Sequence, residues 1–262
     1  MLGAIVGDIV GSIYEHDNIK TKDFPLFAKR ATFTDDTVCT VAIADCLLSA
    51  GDFADHLRTW VHRYPQAGYG GMFLRWAFTD GMGPYGSWGN GSAMRVSPVA
   101  YAAVEIEAAM LLAERSAIVT DDHPEAVTGA QAVTMTIRLA LQGRDRDEIR
   151  QTIEQRFEYD LSENVDSIRP WYAFDVSCRG TVPPAIICAL EATDFEDAIR
   201  NAVSIGGDTD TLACITGGIA EALFGIPDWI ADEALARLDD DLRDVVERFR
   251  AIHILPSAPR DE

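Results

Sequence analysis

The stretch 205-IGGDTDTLACITGGIAEALFG-225 decides how the rest of the chain is read. From Leu212 to Phe224 it is mostly Ala, Gly, Ile, Leu, Cys and Thr, and Glu221 is its only charge. A helix with no solvated face belongs in the interior. Yet its first turn carries Asp208 and Asp210, with Thr209 and Thr211 between and after them. Asp and Thr are common N-caps, because they accept hydrogen bonds from free first-turn N–H groups and a negative charge suits the dipole. Capping alone accounts for this motif taken singly.

A second copy appears in 33-FTDDTVCTVAIADCLL-48, where Thr34, Asp35, Asp36 and Thr37 open another small-residue apolar helix. If the two starts converge, their four aspartates share one pocket of low dielectric. Burying unpaired charge there costs several kcal/mol per ion or forces protonation. Two divalent cations would balance the charge. Hard oxygen donors from Asp and Thr favour Mg²⁺ or Mn²⁺ over Zn²⁺. Spacing leaves separate caps and a shared two-metal site both open.

Outward from these motifs, apolar residues recur at helical spacing in 37–48, 53–63, 92–104, 125–142, 147–157 and 195–204, with 239–250 amphipathic. Strand-like alternation is scarce, so the chain reads as all-α. With 262 residues, 48% of them hydrophobic, it is expected to form one compact multi-helix domain over 1–262. A net charge of −20 repels phosphate backbones and attracts divalent cations, which excludes general nucleic-acid binding. Five cysteines without CxxC spacing fit reduced thiols in a cytoplasm. Asp8 interrupts the apolar N-terminal run, and no other run reaches the roughly 20 residues a membrane span needs. A cytoplasmic monomer is expected.

Glycine-rich pieces fall between the helices. The loop 85-YGSWGNGSAMR-95 offers successive N–H groups, two serines, an asparagine and a tryptophan at the mouth of a helix. Such a loop suits a diphosphate and a stacked base. Taken alone, the loop reads first as an ordinary glycine-rich turn before a helix, with Trp88 as a core anchor. By default Glu15 reads as a solvated helix end and His123, just before a helix, as a cap. Segment 17–33 has no period and reads as a long loop of the functional kind.

The motifs 7-GDIVGSIYE-15, FTDDT, GNGSAMR and GGDTDTLA, in that order and at these separations, resemble the ADP-ribosylglycohydrolase family, whose founding type is the bacterial dinitrogenase-reductase activating glycohydrolase. The resemblance runs from Met1 to about Pro227. It implies an all-α fold, a two-metal centre holding Mg²⁺ or Mn²⁺, and release of ADP-ribose from a modified side chain or small conjugate. Thr34, Asp35 and Asp36 then resemble metal ligands from the first helix start, and Asp208, Asp210 and Thr211 those from the second. Glu15 matches the acidic residue that approaches metals and substrate, and Asp36, Glu15 and Asp35 are the catalytic candidates. The adenosine-diphosphate pocket matches Ser87, Trp88, Gly89, Asn90, Gly91 and Met94, with Trp88 under the adenine. Gly70 and Gly71 resemble the loop beside the distal ribose, and His123 a pocket histidine. Acceptor specificity is expected from 17–33 and 159–180, including Trp171, Tyr172 and Asp175. A non-catalytic metal- or ADP-ribose-binding member and a two-metal phosphoester hydrolase are the alternatives.

Overall fold

The structure is a computed structural model that describes residues 1–253. Its helices are α1 (Leu2–Gly11), α2 (Asp35–Ser49), α3 (Phe53–Arg63), α4 (Gly71–Ala77), α5 (Gly91–Met94), α6 (Ser97–Ala102), α7 (Ile106–Ala117) and α8 (Pro124–Leu141). They continue as α9 (Arg146–Phe157), α10 (Val165–Ile168), α11 (Cys178–Glu191), α12 (Phe195–Ser204), α13 (Thr209–Phe224), α14 (Asp228–Leu235) and α15 (Asp240–His253). Among the described residues the β pairing is limited to one antiparallel bridge between Gly89 and Ser177. The all-α expectation is therefore met. No helix among the described residues is long and apolar enough to cross a membrane.

At the centre lie α1 and α13, packed against each other along nearly their whole length. Every residue of α1 is buried, as are Thr209 through Ala220 of α13. The approach is so close that a β-carbon on Gly7 would sit 1.8 Å from the Ala213 carbonyl oxygen, and one on Gly11 2.4 Å from that of Thr209. Only glycine leaves room for this contact. It carries Asp8, on the same helix, to the acidic start of α13. Around the pair, α8, α11 and α12 pack on α13, while α15 lays Leu242, Val245, Val246 and Phe249 against the rest of the core near α2.

Six helices escape the periodicity: α4, α10 and α14 are short, at four to eight residues, and α1, α7 and α11 each lack a readable pattern. α1 is apolar on all sides and has no contrast to read. α7 carries only five buried positions among charged ones. α11 contains Pro183 and Pro184, which signal a break. In α11 the missing N–H of Pro184 leaves the Gly180 carbonyl without its helical donor, and the Tyr172 hydroxyl fills that place at 3.0 Å. The 92–104 segment is two helices, because α5 stops at Met94 and α6 restarts with Ser97 and Pro98 in its first turn.

Candidate active site

The two acidic helix starts meet. Carboxylate oxygens of Asp8, Asp36 and Asp210 lie within 4.8 Å of one another, and so do those of Glu15, Asp208 and Asp210. Asp210 belongs to both groups. Asp8 was not among the residues singled out from the sequence, and its signal was a lone carboxylate inside an otherwise apolar helical run.

Capping does not explain these aspartates. Asp52, Asp145 and Asp194 show what a capping aspartate does here, since each accepts a first-turn N–H of its own helix. Asp208 stands at the N-cap of α13 and makes no such bond. At α2 the cap is Thr34, whose hydroxyl accepts from the Asp36 N–H at 3.3 Å. The fully buried Asp8 completes that end: it accepts from the Thr34 N–H at 2.9 Å, the Thr34 hydroxyl at 2.6 Å, the Thr37 N–H at 3.0 Å and the Thr37 hydroxyl. One carboxylate from α1 thus fixes where Asp35 and Asp36 stand.

Asp36 is 2% exposed, and its Oδ1 meets no hydrogen-bond partner. Its Oδ2 accepts from the Thr211 hydroxyl at 3.4 Å. Asp208 accepts from the Asn90 side-chain amide at 2.7 Å. Burial, and next the Asp210 charge, push Asp8 up to about 7 and Asp208 up to about 8. Burial and then Asp210 also hold Asp35 and Asp36 well above the usual carboxylate range. Glu15 is raised by burial first and Asp210 second, with His16 opposing at 3.6 Å. Among the described residues no lysine or arginine pairs with any of these carboxylates. An oxygen-only cluster with an orphaned buried oxygen and no protein counter-charge fits hard divalent cations. Asp8, Glu15, Asp36, Asp208 and Asp210 supply the two clusters. Asp35, Thr34 and Thr211 line the same cavity beside them.

That cavity has a volume of about 630 Å³. Away from the acids it is lined by Gly70 and Gly71, and by Ser87, Trp88, Gly89, Asn90, Gly91 and Met94, so these sequence-predicted residues share one space with the carboxylates. Trp88 is 49% exposed, which sets aside a core-anchor role and leaves its indole available at the mouth. Its loop is braced twice: the Ser87 hydroxyl accepts from Gly89 N–H at 3.1 Å, and the Asn90 N–H donates to the Val176 carbonyl at 2.7 Å. Phe174 and Val176, exposed side chains of the segment before α11 that pairs with this loop, also line the cavity.

Other placements differ from expectation. His123 does not line the cavity: it is exposed at the N-cap of α8, where its Nδ1 accepts from the Glu125 N–H at 3.2 Å. The helix start uses that acceptor. The position facing the cavity is Asp121, buried and paired at 3.1 Å with Arg95, which is 1% exposed. Arg95 also donates to the Ser116 and Ala117 carbonyls at the end of α7 and to the Thr120 hydroxyl. Nothing in the local pattern separates this buried arginine from a surface one. Of 17–33, no residue lines the cavity, and of 159–180 only Phe174 and Val176 do; Tyr172 is packed under Gly207 and Trp171 is exposed outside.

An all-α bundle with an acidic, oxygen-donor centre at one end of a nucleotide-sized cavity defines the class. The ADP-ribosylglycohydrolase family model matches residues 1–259, and the chain belongs to that family. It is 27% identical to the ADP-ribosylarginine hydrolase Tri1 of Pseudomonas putida, over 88% of this chain and 72% of that one. It is also 27% identical to the ADP-ribosylhydrolase ARH3 of Xenopus tropicalis, over 86% of both chains, and 25% identical to the human ARH3, over 86% and 84%. Among solved structures, an ADP-ribosylglycohydrolase-related protein complex superposes with a TM-score of 0.70 at 24% identity, covering 96% of this chain and 97% of that one.

Proposed function

We propose that the protein hydrolyses the glycosidic bond between ADP-ribose and an acceptor, using two divalent cations, Mg²⁺ or Mn²⁺. The observation that carries this reading is a pair of carboxylate triads that share Asp210, each with its oxygens within 4.8 Å of one another, of which Glu15, Asp36, Asp208 and Asp210 line the cavity that Trp88 and the glycine loop also line. The cations would be held by Asp8, Asp36 and Asp210 on one side and Glu15, Asp208 and Asp210 on the other, with Thr34, Asp35 and Thr211 adjacent. When bound, they would supply electrostatic stabilisation of the charge that develops at the scissile bond.

The chain's own residues do the rest. Trp88 offers its indole to the adenine, and the Gly91 N–H at the start of α5 is left for the diphosphate, the Gly89 and Asn90 N–H groups being used to brace the loop. Gly70 and Gly71, with open space where side chains would stand, leave room for the distal ribose. Glu15 is the best-placed carboxylate for the proton: its side chain is 28% exposed, whereas Asp36 is sealed in and suited to a ligand role. The chain is read as one domain, supported by the single family match over 1–259.

Measuring free ADP-ribose and free phosphate from ADP-ribosyl-arginine peptide, ADP-ribosyl-serine peptide and O-acetyl-ADP-ribose, with Mg²⁺ or with chelator, tests this. Metal-dependent ADP-ribose release from at least one substrate is expected. Phosphate release alone would assign a phosphoester hydrolase, and binding without turnover a non-catalytic relative.

A further inference from the structure

The turn that delivers Asp208 is held by a side chain from another part of the chain. Gly206 and Gly207 both adopt positive φ, at 71° and 81°, between the end of α12 and Asp208. Such a turn is permissive by itself, because glycine has many accessible conformations. Asn18 reads the Gly207 peptide on both sides: its Oδ1 accepts from the Gly207 N–H at 2.6 Å, and its Nδ2 donates to the Gly207 carbonyl at 3.0 Å. The same Nδ2 donates to the carbonyls of Tyr14 at 2.6 Å and Glu15 at 3.0 Å. Lys20 adds a second tie, from its Nζ to the carbonyls of Ile205 and of Tyr172 at 2.7 Å.

One amide therefore joins the peptide that ends at Glu15 to the peptide that precedes Asp208. Glu15 and Asp208 are the two members of the second carboxylate triad that come from different segments and have no helix fixing their separation. Asp208 stands at the end of a glycine turn, and Glu15 lies beyond the last residue of α1. We propose that Asn18 is a positioning residue that sets the distance between Glu15 and Asp208, and so tunes the cation site these two share with Asp210. This rests on the proposed metal-dependent reading. Asn18 touches neither the cavity nor the carboxylates themselves, and it acts through backbone alone.

The long loop then has a mechanical role in place of a direct acceptor contact. Side chains at 18 and 20 set the posture of the Gly206–Gly207 turn, and Lys20 ties that turn to the Tyr172 backbone, two residues before Phe174 at the cavity rim.

The test uses the full chain and Asn18→Ala, alone and combined with Glu15→Gln. Asn18 is exposed, so the variant opens no cavity and should fold, melting modestly below wild type for its lost hydrogen bonds. Amide exchange resolved by nuclear magnetic resonance, in chelator, should show the Gly207 N–H exchanging roughly tenfold faster in Asn18→Ala, the change expected for one lost hydrogen bond. Calorimetric titration with Mn²⁺ alone should show affinity reduced by about tenfold, as for other residues that orient ligands from behind. Because Asn18 acts through the Glu15–Asp208 separation, its loss and that of Glu15→Gln should fall well short of adding. Unchanged Gly207 exchange, or fully additive losses of Mn²⁺ affinity, overturns the proposal. A wild-type protein that binds no Mn²⁺ overturns the metal-dependent reading, and the exchange measurement in chelator still decides whether Asn18 holds the turn.

Discussion

The side-chain amide of Asn90 donates to the carboxylate of Asp208 at 2.7 Å, joining the glycine loop at one end of the cavity to the acidic centre at the other. The same amide nitrogen donates to the Thr181 hydroxyl at 3.1 Å, so Asn90 is locked among α5, α11 and the start of α13. Replacing it with alanine should lower Mn²⁺ affinity by about tenfold, since Asp208 loses the donor that orients it. Asn90→Asp should do worse, because it sets a second buried carboxylate against Asp208. Calorimetry on the two variants checks the order, and equal binding by all three proteins contradicts it.

Trp88→Ala should weaken ADP-ribose binding by about 1–3 kcal/mol, the usual worth of a base stacked on an aromatic ring. The indole is half exposed, so stability should change by no more than about 0.5 kcal/mol, or roughly 1–2 °C. A large fall in melting temperature with affinity unaltered would mean that the ring serves packing instead.

The acidic centre should make the metal-free protein sensitive to pH in a defined direction. Folding raises Asp8 to about 7 and Asp208 to about 8, chiefly by burial and then by Asp210, from an ordinary 3.8. Between those values the folded state holds protons that the unfolded chain has released, so stability falls as pH rises. In chelator the melting temperature should be higher at pH 5 than at pH 8, the loss running through the folded values of about 7 and about 8. Mg²⁺ should flatten the curve by favouring the ionised carboxylates, and Asp210→Asn should flatten it without metal. A metal-free melting temperature that rises toward pH 8 defeats this account.

Gly7→Ala should be severe for a single methyl group. Its β-carbon would meet the Ala213 carbonyl oxygen at 1.8 Å, a backbone atom that cannot turn aside. Parting α1 from α13 should cost at least about 1–3 kcal/mol, as for other overpacked cores, and should also move Asp8 away from Asp210. Reduced Mn²⁺ affinity in the fraction still folded is the expected sign, measured by titration below the melting transition. By contrast, Gly143→Ala, with open space around it but φ at 74°, should cost stability without touching metal affinity.

Much of this was legible in the sequence because two separate rules agreed. Helical spacing marked α2, α3, α8, α9, α12 and α15, a small apolar run marked α13, and the paired aspartates at the starts of α2 and α13 stood out against apolar helices that needed no charge. What stayed hidden lacked contrast or depended on distance. α1 is buried on every side, so no period marks it, and Asp8 acquires meaning only when α1 is laid against α13. The prolines of α11 mimic a break until the Tyr172 hydroxyl is seen to serve the orphaned Gly180 carbonyl. His123 was drawn toward the cavity by resemblance, whereas local chemistry made it a cap. Asn18 gave no sign, because the partner that gives it a role, the Gly207 backbone, is 189 residues away.

Metal stoichiometry coupled to turnover tests the central claim most directly, with Asp210 as the shared member of both triads. Calorimetric titration of Mn²⁺ into metal-free wild-type protein and Asp210→Asn should be run beside an assay of ADP-ribose release in chelator and in Mn²⁺. The account predicts two Mn²⁺ per wild-type chain, no release in chelator, recovery on adding metal, and a loss of at least about 100-fold in both affinity and release for Asp210→Asn. Wild-type protein that releases ADP-ribose as fast in chelator as in Mn²⁺ would contradict it.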